Sequence, residues 1–403
     1  MTSALVVGGT GQTGPLIVEG LLERGYDVTI LHSGAHEPPL PPVEHIHADV
    51  HFAEPIVGAL GDRTFDLAVC MYGRSRLVAD ALRGKVPRLV MVTGSGYAYT
   101  EPAHPGWGPF GVTVADEESP FAENRASDAI GPLIAKTERH VLQHQADGHY
   151  LVTILRYPNI YGPGAVSPAD WSIIRRVVDR RPYFIVAEGG LRMRSRCYRD
   201  NAAHAVLLAV DAPNVAAGRI YNVADDPPAL TIGQWADAIA RALGHSWELV
   251  DLPLDLVERV YLGAFGYHRL VDTTRIRMEL GYADVIGSEE ALKRTAEWWA
   301  EFGKAHAASL SALTDRFDYA AEDALVAAYR RVTRPLLDIA PAPLITLHPF
   351  AHPKSSDPDS EEDRFVLEDG SSDVAHPYRT YPYPISSLGA FPGEGPMEES
   401  EGD

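Results

Sequence analysis

Cysteine is nearly absent from this chain: Cys70 and Cys197 are the only two in 403 residues. Two thiols supply neither a disulfide framework nor the ligand spacing of a metal-binding knuckle, so no metal is expected and a reducing, cytoplasmic setting is. Basic charge is scarce as well. Thirty-five Lys and Arg stand against 55 Asp and Glu, a net charge of −20, which excludes the basic stripe that nucleic acid demands. No apolar run approaches the roughly 18–20 residues of a membrane span. The N-terminus runs straight into a strand pattern and lacks the basic, apolar and small-residue regions of a secretory signal. These absences leave small molecules, rather than nucleic acid or membrane, as the expected partners.

The composition that remains is globular, with 45% hydrophobic and 22% charged residues. Much of the negative charge is local. Residues 355–403 hold 13 acidic and 2 basic side chains, a charge of −11, which leaves −9 for everything before them. Buried-strand runs alternate with helical patterns through the first half. Ala4–Val7, Tyr26–Leu31, Glu44–Ala48, Phe65–Cys70, Arg88–Val92 and Tyr150–Leu155 read as strands, and Pro15–Arg24 reads as a helix. Such alternation implies an α/β fold with a doubly wound parallel sheet of Rossmann type, whose ligands sit at the carboxyl ends of the strands. Later the pattern is mixed. Ser172–Asp179, Asn201–Asp211, Thr231–Leu243 and Glu289–Phe302 look helical, and Arg219–Val223 looks like a strand.

The expected organisation is a dinucleotide-binding domain over 1–165, a smaller mixed α/β substrate lobe over 166–303 with elements free to cross over, a helical segment over 304–338 interrupted at Pro335, and an acidic, proline-rich C-terminal extension over 339–403. Aromatic residues in that extension allow it to dock on its own fold or on a partner subunit, as in a homodimer with tail contacts.

Gly8-Gly9-Thr10-Gly11-Gln12-Thr13-Gly14 follows a strand and opens a helix. In that context Gly8 permits the tight turn, Gly11 leaves room for a pyrophosphate and Gly14 lets helix and strand pack closely. The N–H groups of Thr10, Gln12 and Thr13 and the positive end of the helix then face the phosphates of NAD or NADP. The second strand ends in His32-Ser33 rather than in the acidic residue that hydrogen-bonds the ribose hydroxyls of NAD, which favours NADP. Asp49, at the end of the third strand, is a candidate for adenine contact.

With Asp49-Val50, Val92–Tyr99, Leu155–Gly164, Tyr198–Ala202 and Gly218–Val223 in order behind the glycine loop, the chain resembles the extended short-chain dehydrogenase/reductases, the NAD-dependent epimerase/dehydratase group, over residues 3–300. The resemblance implies an NAD(P)-dependent oxidoreductase or epimerase/dehydratase acting on a small organic substrate. It places Ser95 as the catalytic serine that polarises a substrate oxygen, Val50, Tyr72 and Pro158 against the cofactor, and Lys136 as the lysine of the catalytic pair. It places Tyr99 and Arg196 toward the substrate.

The chain departs from the pattern at the acid/base. Four residues before Lys136 stands Pro132. If Glu138 is instead aligned with the glutamate that commonly follows the family's lysine, the pair falls on Ile130 and Ile134. Neither register holds a tyrosine, so Tyr97 is the substitute acid to examine. The alternative is a cofactor-binding regulator that has lost turnover. Glu117, Glu118 and His104 are read as solvated loop residues.

Overall fold

The computed structural model describes residues 2–35, 38–71, 75–95, 114–120, 130–260, 267–310 and 315–340. The chain enters β1 (Thr2–Val7) and turns through Gly8–Thr13 into α1 (Gly14–Glu23). Pro15 fits the first turn of α1 because the N–H it lacks would have no partner within the helix. Then come β2 (Tyr26–His32), β3 (Glu44–His47), α2 (Ala53–Leu60), β4 (Leu67–Cys70), α3 (Ser75–Ala81) and β5 (Arg88–Gly94). A short β6 (Val114–Ala115) precedes α4 (Ile130–Ala146) and β7 (Leu151–Tyr157), and Pro158 separates β7 from β8 (Asn159–Tyr161). The next elements are α5 (Pro168–Val178), β9 (Tyr183–Ala187), β10 (Arg196–Tyr198), α6 (Arg199–Asp211), α7 (Pro213–Ala216) and β11 (Arg219–Asn222). After them come α8 (Ile232–Ala242), β12 (Glu248–Leu252), α9 (Leu254–Val257), β13 (Leu270–Val271), α10 (Thr274–Leu280), α11 (Ser288–Leu310) and α12 (Tyr319–Ile339).

Seven strands make one sheet in the order β11-β7-β5-β4-β1-β2-β3, and every pairing in it is parallel. The doubly wound sheet expected from the sequence is therefore present. From β1 the chain moves outward to β2 and β3, then returns to place β4 on the other side of β1. That reversal opens a crevice at the carboxyl ends of β1 and β4, where doubly wound folds bind their ligands. The strand period of two feeds both faces. Ala4 and Val6 pack with Ile17, Leu21 and Val206 on one side, while Leu5 and Val7 pack with Ile56 and Val78 on the other. Each such side chain taken fully out of water contributes about 1.5–3 kcal/mol.

The later elements build a third core around Trp171, Trp235 and Trp299. Trp171 of α5 stacks on Trp299 of α11 with ring centroids 5.4 Å apart. β9 and β12 pair in a separate two-stranded sheet, whereas β11 crosses back to join the large one. By internal contacts the chain forms one unit from Met1 to Tyr329 and a second from Arg330 onward. The helix expected to be interrupted at Pro335 runs through it: a proline removes a single backbone bond, and α12 continues to Ile339. Among the described residues no helix is long and apolar enough to cross a membrane.

Candidate functional site

The glycine loop is built from nested turns. Gly8 N–H donates to the Leu31 carbonyl of β2 (3.0 Å), Gly11 N–H to Gly8 (3.1 Å) and Gly14 N–H to Gly11 (3.0 Å). Gly8 has φ +87°, a conformation open to glycine at no steric cost. A methyl group on Gly14 would lie 2.3 Å from the Gly9 carbonyl oxygen, whereas one on Gly11 would meet only the Gly8 carbonyl oxygen, at 3.4 Å. Gly14 is thus held by backbone packing, and Gly11 borders open space. A cavity of about 620 Å³ lies over this loop, bounded by Gly8, Thr10, Gly11, Gln12 and Thr13. Room at Gly11, backbone N–H groups and the N-terminus of α1 fit the pyrophosphate of a dinucleotide.

A second cavity of about 490 Å³ shares Gln12, Tyr157 and Val166 with the first, so the two adjoin. Ser95 lies at its floor, just past β5, where its N–H donates to the Tyr157 carbonyl (2.8 Å). The Ser95 side chain is buried, and among the described residues its Oγ has no hydrogen-bond partner. A buried hydroxyl without a partner costs about 1–3 kcal/mol, so it is a group prepared for a ligand. Tyr157 borders both cavities, but its hydroxyl donates to the Ala202 carbonyl (2.6 Å), and burial holds its pKa well above the ordinary tyrosine value. It is a wall, not an acid. Pro158 lines the same floor.

The far wall comes from α4 and from the segments around β10 and β13. Ile134 lines the cavity, while Lys136 is exposed and borders neither cavity. The helix is rotationally fixed by Glu138, two residues on, whose carboxylate takes Arg156 Nη2 at 2.7 Å and Thr93 Oγ1 at 2.8 Å. Both charged side chains of that pair are at most 6% exposed. Lys136 lies about 200° around the helix from Ile134 and so points away. Glu117 is not the solvated loop residue expected: it is buried, accepts the Asn222 N–H at 2.8 Å, and burial raises its pKa.

The four arginines near Cys197 diverge. Arg194 lines the 490 Å³ cavity together with Arg269 from the strand alongside it, the two segments being joined by Ser195 N–H to the Arg269 carbonyl (2.8 Å). Arg196, the candidate for substrate, packs its guanidinium 4.0 Å from the Trp235 ring centroid and borders a small cavity that shares Arg194 and Ser195 with the 490 Å³ one. Arg199 reaches the dinucleotide cavity and donates to the Pro163 carbonyl (2.6 Å). Arg192 pairs with Glu188.

At the end of β2, His32 is buried and touches a pair that the sequence reading passed over. Its Nε2 is 3.0 Å from His45 Nδ1, and its ring is 4.6 Å from that of His47. The signal was present: His45-Ile46-His47 alternates, which puts both imidazoles on one face of β3. Ser33 is exposed beside them. Asp49 accepts the His51 N–H (2.9 Å), and Val50 is buried in the core; neither borders a described cavity. Tyr72, Tyr97, Tyr99 and His104 lie outside the described residues.

In the wall of the small cavity, Asp225 accepts Tyr198 N–H (2.8 Å) and Asn201 Nδ2–H (3.0 Å), beside Asp226, whose N–H donates to Asp284 (2.8 Å). Burial, with Asp225 and Asp226 nearby, pushes the Asp284 carboxyl up to about 7. A carboxyl raised in the folded state favours folding below its unfolded pKa, and that contribution is lost as pH rises through about 7. Asp284→Asn is therefore expected to stabilise the protein by about 1–2 kcal/mol at pH 8, a figure reduced for the group's partial exposure, with no gain at pH 4. Urea unfolding at the two pH values checks it.

Residues 76–224 match the family model "NAD dependent epimerase/dehydratase family". The chain is 28% identical over 300 residues to a 3-diazoavenalumate denitrifying reductase of a Streptomyces species, covering 69% of this chain and 94% of the relative. Among solved structures it is similar to UDP-glucose 4-epimerase from Thermotoga maritima, with TM-score 0.60, 17% identity and coverage of 75% and 99% of the two chains. It is also similar to the Bordetella bronchiseptica enzyme WbmH in complex with NAD+, with TM-score 0.59, 18% identity and coverage of 75% and 100%.

Proposed function

We propose that this chain, whose residues 76–224 match the NAD-dependent epimerase/dehydratase family model, is an NADP-linked reductase of a small anionic substrate that works without the family's tyrosine–lysine proton relay. The carrying observation is the pair of walls in the 490 Å³ cavity, with the Ser95 hydroxyl, unpartnered among the described residues, on one side and Ile134 of α4 on the other. With Glu138 aligned to the glutamate after the family's lysine, Ile130 and Ile134 take the positions of the pair. An isoleucine moves no proton. The substrate suited to this wall accepts hydride and needs no proton from α4.

The nicotinamide supplies the hydride when the cofactor is bound. Ser95 Oγ orients the acceptor by hydrogen bonding, and Arg194 and Arg269 offer forked donors to its carboxylate or phosphate. Ile134 and Tyr157 keep the pocket apolar around the reacting carbon. An aryl carboxylate bearing a diazonium group, close to the compound named for the Streptomyces relative, meets these demands. Its new C–H bond forms with the hydride's electron pair, and the C–N pair leaves with N2, so no proton enters the balance.

The test is NADPH consumption by the full chain with three substrates: a diazonium-bearing aryl carboxylate, its ketone analogue and a UDP-sugar. Turnover of the first, with KM raised at least about tenfold by Arg269→Ala, is the expected result. Tyr97→Phe should leave that rate within about twofold; a loss of about 100-fold or more would reinstate a proton relay. NADPH binding without consumption of any substrate would favour the regulatory reading.

The choice of NADP rests on His32, His45 and His47, which gather donors where the adenosine ribose of a bound dinucleotide is expected. His32→Asp would keep an acceptor for the Gly34 N–H that the imidazole now receives at 3.2 Å. It would repel a 2′-phosphate. Its expected effect is an NADP Kd raised by about tenfold or more, with NAD little changed, read by calorimetric titration. An unchanged ratio would remove the NADP preference.

A further inference from the structure

Among the described residues three groups of potential ligands contain imidazoles, two of them sharing His144, and the trio at His32 differs from the group around Asp80 in one decisive respect. In the trio at β2 and β3, His32 Nδ1 accepts the Gly34 N–H, which leaves the ring proton on Nε2, facing His45 at 3.0 Å. A cation on Nε2 would have to displace that proton and break the backbone bond. In the other cluster a displaced ring proton would break no backbone bond. His140 and His144 lie four residues apart on one face of α4, and both turn Nε2 toward a single oxygen of Asp80 from α3, at 2.9 and 2.8 Å. Each Nε2–H donates to that carboxylate, and among the described residues the buried Nδ1 of His144 holds no hydrogen bond, so the proton that a cation displaces from Nε2 can move to Nδ1 without breaking one.

We propose that Asp80, His140 and His144 form a binding site for a divalent transition-metal ion, with Zn²⁺ the best match, which staples α3 to α4. All three ligand atoms already lie within 4.8 Å of one another. Ligands held at about 2.0–2.2 Å in tetrahedral geometry stand roughly 3.3 Å apart, so the atoms shift by less than about 1 Å on loading. Two imidazoles and a carboxylate are a borderline-soft set that suits zinc and its neighbours better than calcium or magnesium.

The surroundings favour a cation. His144 sits in the last turn of α4, where unsatisfied carbonyls carry partial negative charge. The Tyr150 hydroxyl donates to the Ala79 carbonyl at 2.9 Å and so fixes the backbone beside Asp80. His140 and Asp80 side chains are each 38% exposed, which leaves an entry path and a fourth position for water, while His144 is 8% exposed. Helices in a doubly wound fold run opposite to the strands, so the end of α4 lies at the amino edge of the sheet, away from the dinucleotide crevice. The ion would be structural. Sequence spacing did not suggest it, because Asp80 comes from a different helix, 60 residues before His140.

The experiment uses the full untagged chain, stripped with EDTA and titrated with Co²⁺, then Zn²⁺. One equivalent should produce the visible absorption of tetrahedral Co²⁺, bleached by Zn²⁺, and saturating Zn²⁺ should raise Tm by roughly 2–5 °C. His140→Ala and Asp80→Asn should each weaken binding at least about tenfold and melt in EDTA as the stripped wild type does. His45→Ala and His149→Ala should bind as wild type. Absence of the Co²⁺ band, one-equivalent binding that survives His140→Ala, or loss of binding in His45→Ala or His149→Ala would each overturn the proposal.

Discussion

Arg176→Ala is expected to destabilise the full chain by about 3–5 kcal/mol, the cost of leaving buried charge without its partner. Arg176 lies on α5 with its side chain 3% exposed, between Asp315 and Glu322, each 4% exposed. Its Nη1 donates to Asp315 Oδ2 and to the Ser172 carbonyl, both at 2.7 Å, and its Nη2 donates to the Val260 carbonyl at 3.1 Å. The Phe317 and Tyr319 rings lie 5.4 and 6.0 Å from the guanidinium. Two carboxylates around one cation already carry an excess negative charge, so removal of the arginine leaves both uncompensated in a dry site. The segment from Asp315 to Tyr329 should then release first, seen as new proteolytic cuts there at denaturant concentrations below the main transition. A triple leucine replacement of Arg176, Asp315 and Glu322 should recover most of the loss, because apolar packing commonly equals or exceeds a buried ion cluster in stability. If the single variant costs less than about 1 kcal/mol, the cluster is wetter than its geometry indicates.

That network marks the boundary of what the sequence discloses. β1, the glycine loop and α1 were legible because an apolar run, a spaced set of glycines and Pro15 all point to one local structure. The parallel sheet followed from alternation alone. Buried charge pairs are a different kind of fact. Glu138 reads as an ordinary helix carboxylate until Arg156, on another element, is placed 2.7 Å away. That contact sets the rotation of α4, and with it which of Ile134 and Lys136 meets the cavity. The sequence holds no tyrosine in either register, and spacing alone does not choose between them. Arg196 was favoured over Arg194 for want of Trp235, which lies 39 residues ahead in the chain and captures the Arg196 guanidinium. Arg269 escaped notice because only the pairing with the Met193–Ser195 segment brings it to the cavity. β12 had a weaker signal: Val250-Asp251-Leu252 alternates, and the structure buries Val250 and Leu252.

Gly14→Ala and Gly11→Ala separate folding from binding at the loop, and the first carries the larger expected effect. A β-carbon at Gly14 would lie 2.3 Å from the oxygen, 2.4 Å from the carbonyl carbon and 2.8 Å from the Cα of Gly9. All three are backbone atoms, so no side chain can rotate away, and either the nested turns open or α1 moves. α1 cannot move cheaply, because Ile17, Val18 and Leu21 are wholly buried and a methyl group on Gly20 would already strike Leu207 of α6 at 2.3 Å. The expected loss is about 2–4 kcal/mol of stability together with at least about 100-fold in NAD(P) affinity. Gly11→Ala meets only the Gly8 carbonyl oxygen, at 3.4 Å, an ordinary contact. It should melt within about 2 °C of wild type and still lose most of its dinucleotide affinity, because the new methyl group stands in the space left for the pyrophosphate. Thermal melts and fluorescence titration with NADPH read the two quantities separately. If Gly11→Ala bound NADPH as tightly as wild type, the phosphates would not pass over this loop, and the 620 Å³ cavity above it would need another occupant.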